Sequence, residues 1–220
     1  LPGGQISLTG VRTTSPNHAI GIAAGKVTSD FAILPLLLGK LSVTTVTFHD
    51  ADITVNVAAN SVFQSDAPSP LVALIAGSAV GGNAALPPES VSCVRCTVRI
   101  NGAGRSELRL DDFGGRWNWA GGASRASLVA DFKWRGEPVA LSFAADNLED
   151  LRNGLPTRVV SDFTARPAKF SFDGQSNLAA NLFAEGQLTF DASSLKEFLA
   201  WSEPGATAGE TIDTLSLKAN

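Results

Sequence analysis

The chain has 220 residues, of which 44% are hydrophobic and 17% are charged, and its formal net charge is −4. This length allows one large domain or two small ones, and the charged share lies well below the roughly 25% of an average soluble domain. Apolar surfaces of the chain must therefore be buried or used. The basic residues are scattered, which excludes the Lys/Arg cluster of a nucleic-acid interface and the polybasic patch of a membrane-surface segment.

The most apolar run of the chain is DFAILPLLLGKL, residues 30–41. It is too short for a membrane-spanning helix, which needs roughly 20 apolar residues. Pro35 cannot donate to the ladder of a central strand, but it suits the first turn of a helix. We therefore predict that residues 30–41 form a short helical plug that closes one end of an apolar structure.

Apolar and polar residues alternate with a period of two along most of the chain, which predicts antiparallel strands. The alternation within 41–57 changes phase once, and this predicts a β-bulge near Thr44 and Thr45. The polar segment HDAD, residues 49–52, predicts a hairpin turn that leads into a return strand.

Residues 58–90 are predicted to interrupt the strands. The segment contains loop-like stretches on either side of an apolar helix, for which Ser69 and Pro70 supply the N-cap and the first helical residue. An interruption of this length is a candidate for a mobile lid or an inserted segment.

Strands resume after residue 90. Gly114 and Gly115 predict a bend between two short strands, and NLEDLRNG predicts a short helix that ends at Gly154. SSLKEFLAWSE predicts an amphipathic helix. The pattern amounts to roughly ten to fourteen long strands and three or four short helices. We predict a mainly β fold over 1–220: one large curled antiparallel sheet with an apolar trough, its ends plugged by short helices.

Two short segments of the sequence resemble each other. GKVTSD at 25–30 is similar to GQLTFD at 186–191, and each is followed by an apolar, helix-like stretch and then a strand. This order predicts a repeating unit, whose next copy begins near 205–220.

The two cysteines, Cys93 and Cys96, lie in a C-x-x-C spacing inside a predicted strand. Residues three apart on a regular strand face opposite ways with Cα atoms about 10 Å apart, beyond the roughly 7 Å limit for a disulfide. Three alternatives are open: two structural thiols, a disulfide made possible by a local bulge, or a metal or redox centre. The histidines, His18 and His49, lie in no paired-ligand motif, so we expect no metal.

The sequence contains no Ser-His-Asp spacing, phosphate loop or H-E-x-x-H motif, so we expect neither an enzyme nor a cofactor. His49 with Asp50 and Asp52 forms one candidate cluster, in which a base would be oriented by carboxylates. The same residues also fit a polar turn. A hydrolase centred on His49 is therefore kept as the third functional hypothesis.

The order of these segments resembles the AsmA family of envelope proteins of Gram-negative bacteria, over nearly all of the chain. Five stretches carry the resemblance. They are VTSD followed by ILPLLLGK and LSVTTVTFHDADITV, then CTVRINGAGRSELRLDDFGGRWNW, ADFKWRGEPVALSF, AKFSFDG, and LFAEGQLTFDASSLKEFLAW.

The resemblance implies a β-rich periplasmic body, anchored to the inner membrane by a helix that would precede Leu1. The Leu-Pro-Gly start and the absence of methionine agree with a processed or shortened chain. AsmA-like proteins are similar to bridge-like lipid transfer proteins and are implicated in phospholipid movement and outer-membrane homeostasis. The implied partners are phospholipid, the membrane and other envelope proteins. The oxidising periplasm would permit a Cys93–Cys96 bond only if the backbone bulges.

A lipid carrier needs a continuous apolar surface, because each CH₂ moved out of water is worth about 0.8 kcal/mol. Aliphatic and Phe side chains on the strand faces could supply it. The alternative is a closed sandwich in which the same faces pack together, which would suit a scaffold of envelope assembly. The predicted lipid-binding residues are Ile20, Ile22, Val46, Phe48, Ile53, Val55, Val57, Val98, Ile100, Leu128, Phe132, Val139, Leu141, Phe143, Phe170 and Phe172.

Overall fold

A computed structural model describes residues 3–14, 20–33, 42–57, 88–102, 107–120, 125–177, 184–202 and 215–219. They form one open 11-stranded sheet in which the strands follow one another in chain order. The predicted mainly β fold on a single large sheet is therefore confirmed. No helix in these ranges combines the length and apolarity needed to cross a bilayer.

The strands are long and the helices short. The strands are β1 (Gly3–Thr14), β2 (Ile20–Ala32), β3 (Val43–Val57), β4 (Ser90–Gly102), β5 (Leu108–Ala120), β6 (Arg125–Trp134), β7 (Glu137–Ala145), β8 (Thr157–Ala165), β9 (Ala168–Ser176), β10 (Ala184–Ala192) and β11 (Leu215–Ala219). The helices are α1 (Leu148–Arg152) and α2 (Leu195–Ser202).

Neighbouring strands are antiparallel with one exception, the parallel pair β3 and β4. A parallel pair needs a crossover of a dozen or more residues, and the chain between Val57 and Ser90 is long enough for one. The predicted lid at 58–90 falls on this connection and lies almost wholly outside the described residues. Most of the predicted helical plug at 30–41 also lies outside them, and its first three residues belong to strand β2 instead. Most of the predicted repeat start at 205–220 lies outside them as well.

Local sequence signals explain the connections that the structure describes. Arg135 and Gly136 turn the chain between β6 and β7 with φ of 53° and 82°, the left-handed pair that a two-residue hairpin loop requires. Asn147 caps α1 by accepting hydrogen bonds from the backbone of its first turn, and Gly154 (φ 76°) follows its end. Helices α1 and α2 confirm the two helices predicted in this half of the chain.

A line of irregular positions crosses β1 to β5. Asp50, Arg95 and Asp112 have φ of 50°, 54° and 50°, and Gly10 has φ of 62°. The pairing on either side places Gly10 beside Gly25, and Gly25 beside Asp50, so that the positions are neighbours across the sheet. We call this line, through Gly10, Gly25, Asp50, Arg95 and Asp112, the crease.

The crease changes the phase of the side-chain alternation in every strand that it crosses. In β3, Phe48 and Ile53 are an odd number of residues apart, yet both are buried in the same cluster. A regular strand would point them to opposite faces. One irregular residue per strand therefore keeps the apolar side chains of both strand halves on one face.

The crease also explains two wrong predictions. HDAD, 49–52, is not a hairpin turn but the interior of the 15-residue strand β3. Gly114 and Gly115 lie inside β5 rather than at a bend between two strands. In both places a phase change beside polar or glycine residues imitates the end of a strand. The bulge predicted near Thr44 and Thr45 is confirmed, because the β2–β3 register shifts there.

Close backbone approach at a glycine pair gives a stability prediction. Gly174 faces Gly186 across β9 and β10, and a Cβ built on Gly174 would lie 2.7 Å from the Gly186 Cα, as well as meeting the Glu185 carbonyl oxygen. We expect Gly174→Ala to lower the free energy of unfolding by about 1–3 kcal/mol, because the backbone must move apart.

Urea denaturation measures this loss. Gly21→Ala in β2 is the matched control, since no atom lies within 4 Å of its built Cβ, and we expect a change within about 0.5 kcal/mol. Equal stability of the two variants would contradict the close approach of β9 and β10.

Candidate functional site

One face of the sheet is apolar from β2 to β10. Ile22 lies opposite Ile53, and Ile53 is paired in turn with Val98. Phe132 lies opposite Val139 further along the sheet. Directly paired residues point to the same side of a sheet, so these side chains form one continuous surface. We call it the apolar face.

The predicted lipid-binding residues share this face wherever their side chains are described; the side chain of Val57 is not. On β2 to β4 they are Ile20, Ile22, Val46, Phe48, Ile53, Val55, Val98 and Ile100, and on β6 to β9 they are Leu128, Phe132, Val139, Leu141, Phe143, Phe170 and Phe172.

Burial divides the apolar face into two parts. The predicted residues of β2 and β3 whose side chains are described are buried, Val55 with only 1% of its surface exposed, and they belong to a cluster that also contains Cys96. Val98 and Ile100 on β4 are half-buried, as are Leu141, Phe143 and Phe170 on β7 and β9. Phe132 and Val139 form a smaller buried cluster between these two groups. The first part therefore acts as core, and the second part leaves apolar surface that a guest could cover.

A groove with a volume of about 540 Å³ lies on the half-buried part, across β7 to β10. Of the predicted lipid-binding residues, Phe143, Phe170 and Phe172 line it. Its walls are mostly apolar, with two serines and one glutamate among them. The remaining lining residues are Val159, Ser161, Ser176, Ala184, Glu185, Gly186 and Leu188.

Helix α1 covers one end of this region. Its residues Leu148 and Leu151 are 5% and 2% exposed and pack in a cluster with Trp117 and Trp119 of β5. The Trp117 ring stacks on Phe143 with centroids 6.2 Å apart, which joins this cluster to the groove.

The two indoles beside α1 have an unusual polar feature. Trp117 and Trp119 are each 8% exposed, and neither Nε1–H has a hydrogen-bond partner among the described residues. Their ring centroids are 5.9 Å apart. An unpartnered buried donor costs about 1–3 kcal/mol.

Helix α2 covers the opposite end, where β6 and β10 finish. Trp201 donates a hydrogen bond from Nε1 to the carbonyl oxygen of Trp134 at 3.1 Å, and the two rings lie 4.3 Å apart. Phe198 packs edge-on against Phe190 of β10 at 5.3 Å. Short helices therefore plug both ends of the region that contains the groove.

The opposite face of the sheet is polar and carries ion pairs between neighbouring strands. Lys133 Nζ lies 2.7 Å from Asp112 Oδ2, and Arg158 Nη2 lies 3.0 Å from Asp173 Oδ2. These side chains are more than half exposed. Such exposed pairs add little stability, but they keep this face of the sheet hydrated while the other face is apolar.

The residues of the hydrolase hypothesis are arranged differently from a base with orienting carboxylates. His49 Nε2 lies 3.5 Å from the Thr28 hydroxyl, whereas Asp50 and Asp52 form ion pairs with arginines of β4. Neither carboxylate is therefore free to orient the imidazole. The described ranges contain no group of three His, Cys, Asp or Glu side chains arranged to hold a metal ion. His18 lies outside them.

The sequence prediction missed several residues that matter at this site. Trp117 and Trp119 alternate correctly for one face of β5, but the bend predicted at Gly114 and Gly115 hid that continuity. Val159 and Leu188 lie in predicted strands and line the groove without having been selected. The alternation of apolar and polar residues in their strands was the sequence signal that could have identified them.

Comparison with known proteins finds no matching family, no matching curated protein and no matching solved structure. The resemblance to the AsmA family therefore stays a prediction.

The ion pair at the crease predicts a pH dependence. The hydrogen bond from Arg95, 2.8 Å long, lowers the pKa of Asp50 below its ordinary value. A carboxyl whose pKa is lower when folded contributes stability above its unfolded pKa, and loses it as the pH falls through the folded value.

We therefore expect the urea midpoint of the wild type to fall more steeply than that of Asp50→Asn as the pH drops from about 5 to about 2. The effect is small because the pair is exposed, and added salt should reduce it. Parallel pH profiles of the two proteins would contradict a lowered pKa at Asp50.

Proposed function

We propose that this chain is a periplasmic lipid-binding and transfer module that shelters the acyl chains of phospholipid on its apolar face and contributes to outer-membrane homeostasis. The proposal includes attachment to the inner membrane through a helix outside this chain. The single observation that carries it is the groove between the two helix-covered ends, walled by Phe143, Phe170, Phe172 and Leu188. The resemblance to the AsmA family supplies the lipid class and the compartment.

The energetics of an acyl chain favour this reading. A chain of about 16 carbons costs on the order of 12 kcal/mol to expose to water. The aromatic side chains of the groove are themselves partly exposed to water. A bound acyl chain would therefore remove its own apolar surface and that of the groove from water. The groove volume of about 540 Å³ lies within the range of roughly 300–1,000 Å³ that is usual for small-molecule sites.

The polar features beside the groove favour an ester lipid over a plain hydrocarbon. Trp117 and Trp119, whose buried indole N–H groups are unpartnered among the described residues, pack in a cluster with Phe143 and Val159 of the groove wall. A phospholipid carries ester carbonyl oxygens next to its acyl chains, and one of these could accept from an indole. One bound phospholipid would then supply an acceptor for the indole N–H and an acyl chain for the groove.

A structural scaffold of envelope assembly is the second candidate, and strand β1 favours it. Strand β1 is an edge of the described sheet, and its residues Ile6 and Leu8 are 49% and 56% exposed. An exposed edge strand can accept a further strand from a partner. Cross-linking from Leu8 to another envelope protein, with no lipid bound, would favour this candidate.

The central test is lipid binding by the purified chain. We expect native mass spectrometry and solvent extraction to recover phospholipid, and the chain to take up a fluorescent phospholipid from vesicles. Recovery of no lipid together with no uptake would contradict the proposal.

Two groove variants sharpen this test. Leu188→Glu places a charge in the groove, and a buried charge costs several kcal/mol. Ser161→Phe occupies part of the groove volume without adding charge. We expect each variant to weaken lipid binding by tenfold or more. Val129→Glu is the matched control, because Val129 is 59% exposed on the polar face. Loss of binding in the control, or normal binding in both groove variants, would place the lipid elsewhere.

The indole donors give a separate prediction. Trp117→Phe removes the N–H but keeps an aromatic ring against Phe143. We expect the free energy of unfolding to change by less than about 1 kcal/mol, because the gain from removing an unpartnered donor offsets the cost of the cavity that the smaller ring leaves. We expect phospholipid binding to weaken several-fold, while a hydrocarbon probe such as diphenylhexatriene binds as before. Equal binding of phospholipid by wild type and variant would contradict a role for the donor.

A further inference from the structure

The crease brings the two cysteines of the chain to the same face. Arg95 lies between them with φ of 54°, and the β4–β5 register shifts across this interval. Cys93 is paired with Gly115 and Cys96 with Phe113, whose side chain packs on the apolar face. In a regular strand, residues three apart would point to opposite faces. The irregular backbone at Arg95 instead places both cysteine side chains on one face.

The two thiols are close enough to interact. Interaction with the neighbouring Cys96 thiol, and then burial, raise the pKa of the Cys93 thiol above its ordinary value. Cys96 Sγ also lies 3.8 Å from the carbonyl oxygen of Phe48. Both cysteines are free thiols in this structure, Cys93 partly exposed and Cys96 with no exposed surface.

We propose that Cys93 and Cys96 are a disulfide-forming site, and that the bond between them locks the crease at β4. The oxidant is an external disulfide, either a small molecule or a protein. Its sulfur bonds first to Cys93, the more accessible thiol, and releases one thiol. Cys96 then displaces the second, so that one disulfide is reduced to two thiols while two protein thiols become one disulfide.

Locking the crease has a structural consequence. The left-handed backbone of Arg95 is uncommon for a residue with a side chain. In the reduced protein the Arg95–Asp50 ion pair supports it, with N–O distances of 2.8 and 3.0 Å. A disulfide across Arg95 would hold the same backbone conformation independently of this exposed ion pair. It would thereby keep Cys96 and the following apolar side chains of β4 on the apolar face.

The direct test uses the wild-type chain in glutathione buffers that range from reducing to oxidising. Samples are quenched in acid, denatured, treated with N-ethylmaleimide and weighed by intact mass spectrometry. We expect a species that has lost two hydrogens and takes up no maleimide, and a higher melting temperature that a reductant reverses. Two reactive thiols at every potential, or only glutathione adducts, would overturn the proposal.

A matched pair of variants tests the role of the crease. Arg95→Gly and Arg95→Val both remove the ion pair with Asp50, but glycine accepts a positive φ and valine opposes it. We expect Arg95→Gly to form the disulfide as readily as the wild type, and Arg95→Val to form it about tenfold more slowly, in line with the cost of a left-handed residue. Equal rates in the two variants would overturn the link between bulge and disulfide, and circular dichroism checks that both are folded.

Discussion

The phase change at the crease is the constraint on which the rest of this structure depends. Alternation with a period of two can keep a strand apolar on one side only while the backbone stays regular. Strands of up to 15 residues carry their apolar residues in two sets of opposite phase, and one irregular residue brings the sets together. Because five neighbouring strands place that residue in line, the correction is shared across the sheet, and the apolar face is continuous.

The second half of the sheet, beyond β5, is not crossed by the crease and is organised by its helices. Aromatic side chains anchor each helix: Trp117 lies under α1, and Trp201 ties α2 to the end of β6. Between them the half-buried side chains of β7 to β10 leave the groove. Strands β2 and β3 supply most of the packed core, with a smaller buried cluster on β6 to β8, and half-buried side chains of β7 to β10 supply accessible apolar surface. A proposal for lipid binding therefore rests on the later strands.

The regular alternation of apolar and polar residues made much of the fold predictable from the sequence. Both described helices and the bulge near Thr44 followed from local signals that act within a few residues. The failures at 49–52 and at Gly114 have a common cause. A strand that changes phase beside a turn-forming residue looks the same in sequence as a strand that ends, and only pairing with its neighbours distinguishes the two. The parallel pairing of β3 and β4 escaped prediction for the same reason, since strand direction depends on the path of the connection.

The sequence by itself determined that the chain is a mainly β protein with one apolar and one polar strand face, because the side-chain period of a strand is a local property. It also determined many of the side chains that share the apolar face, but not the tryptophans hidden by the wrongly predicted bend, nor Val159 and Leu188. Only the tertiary structure decided which of those side chains are core and which line a groove, and that Cys93 and Cys96 lie on the same face of β4. Burial and proximity depend on which strands and helices come to lie against a residue, and those neighbours are distant in the chain.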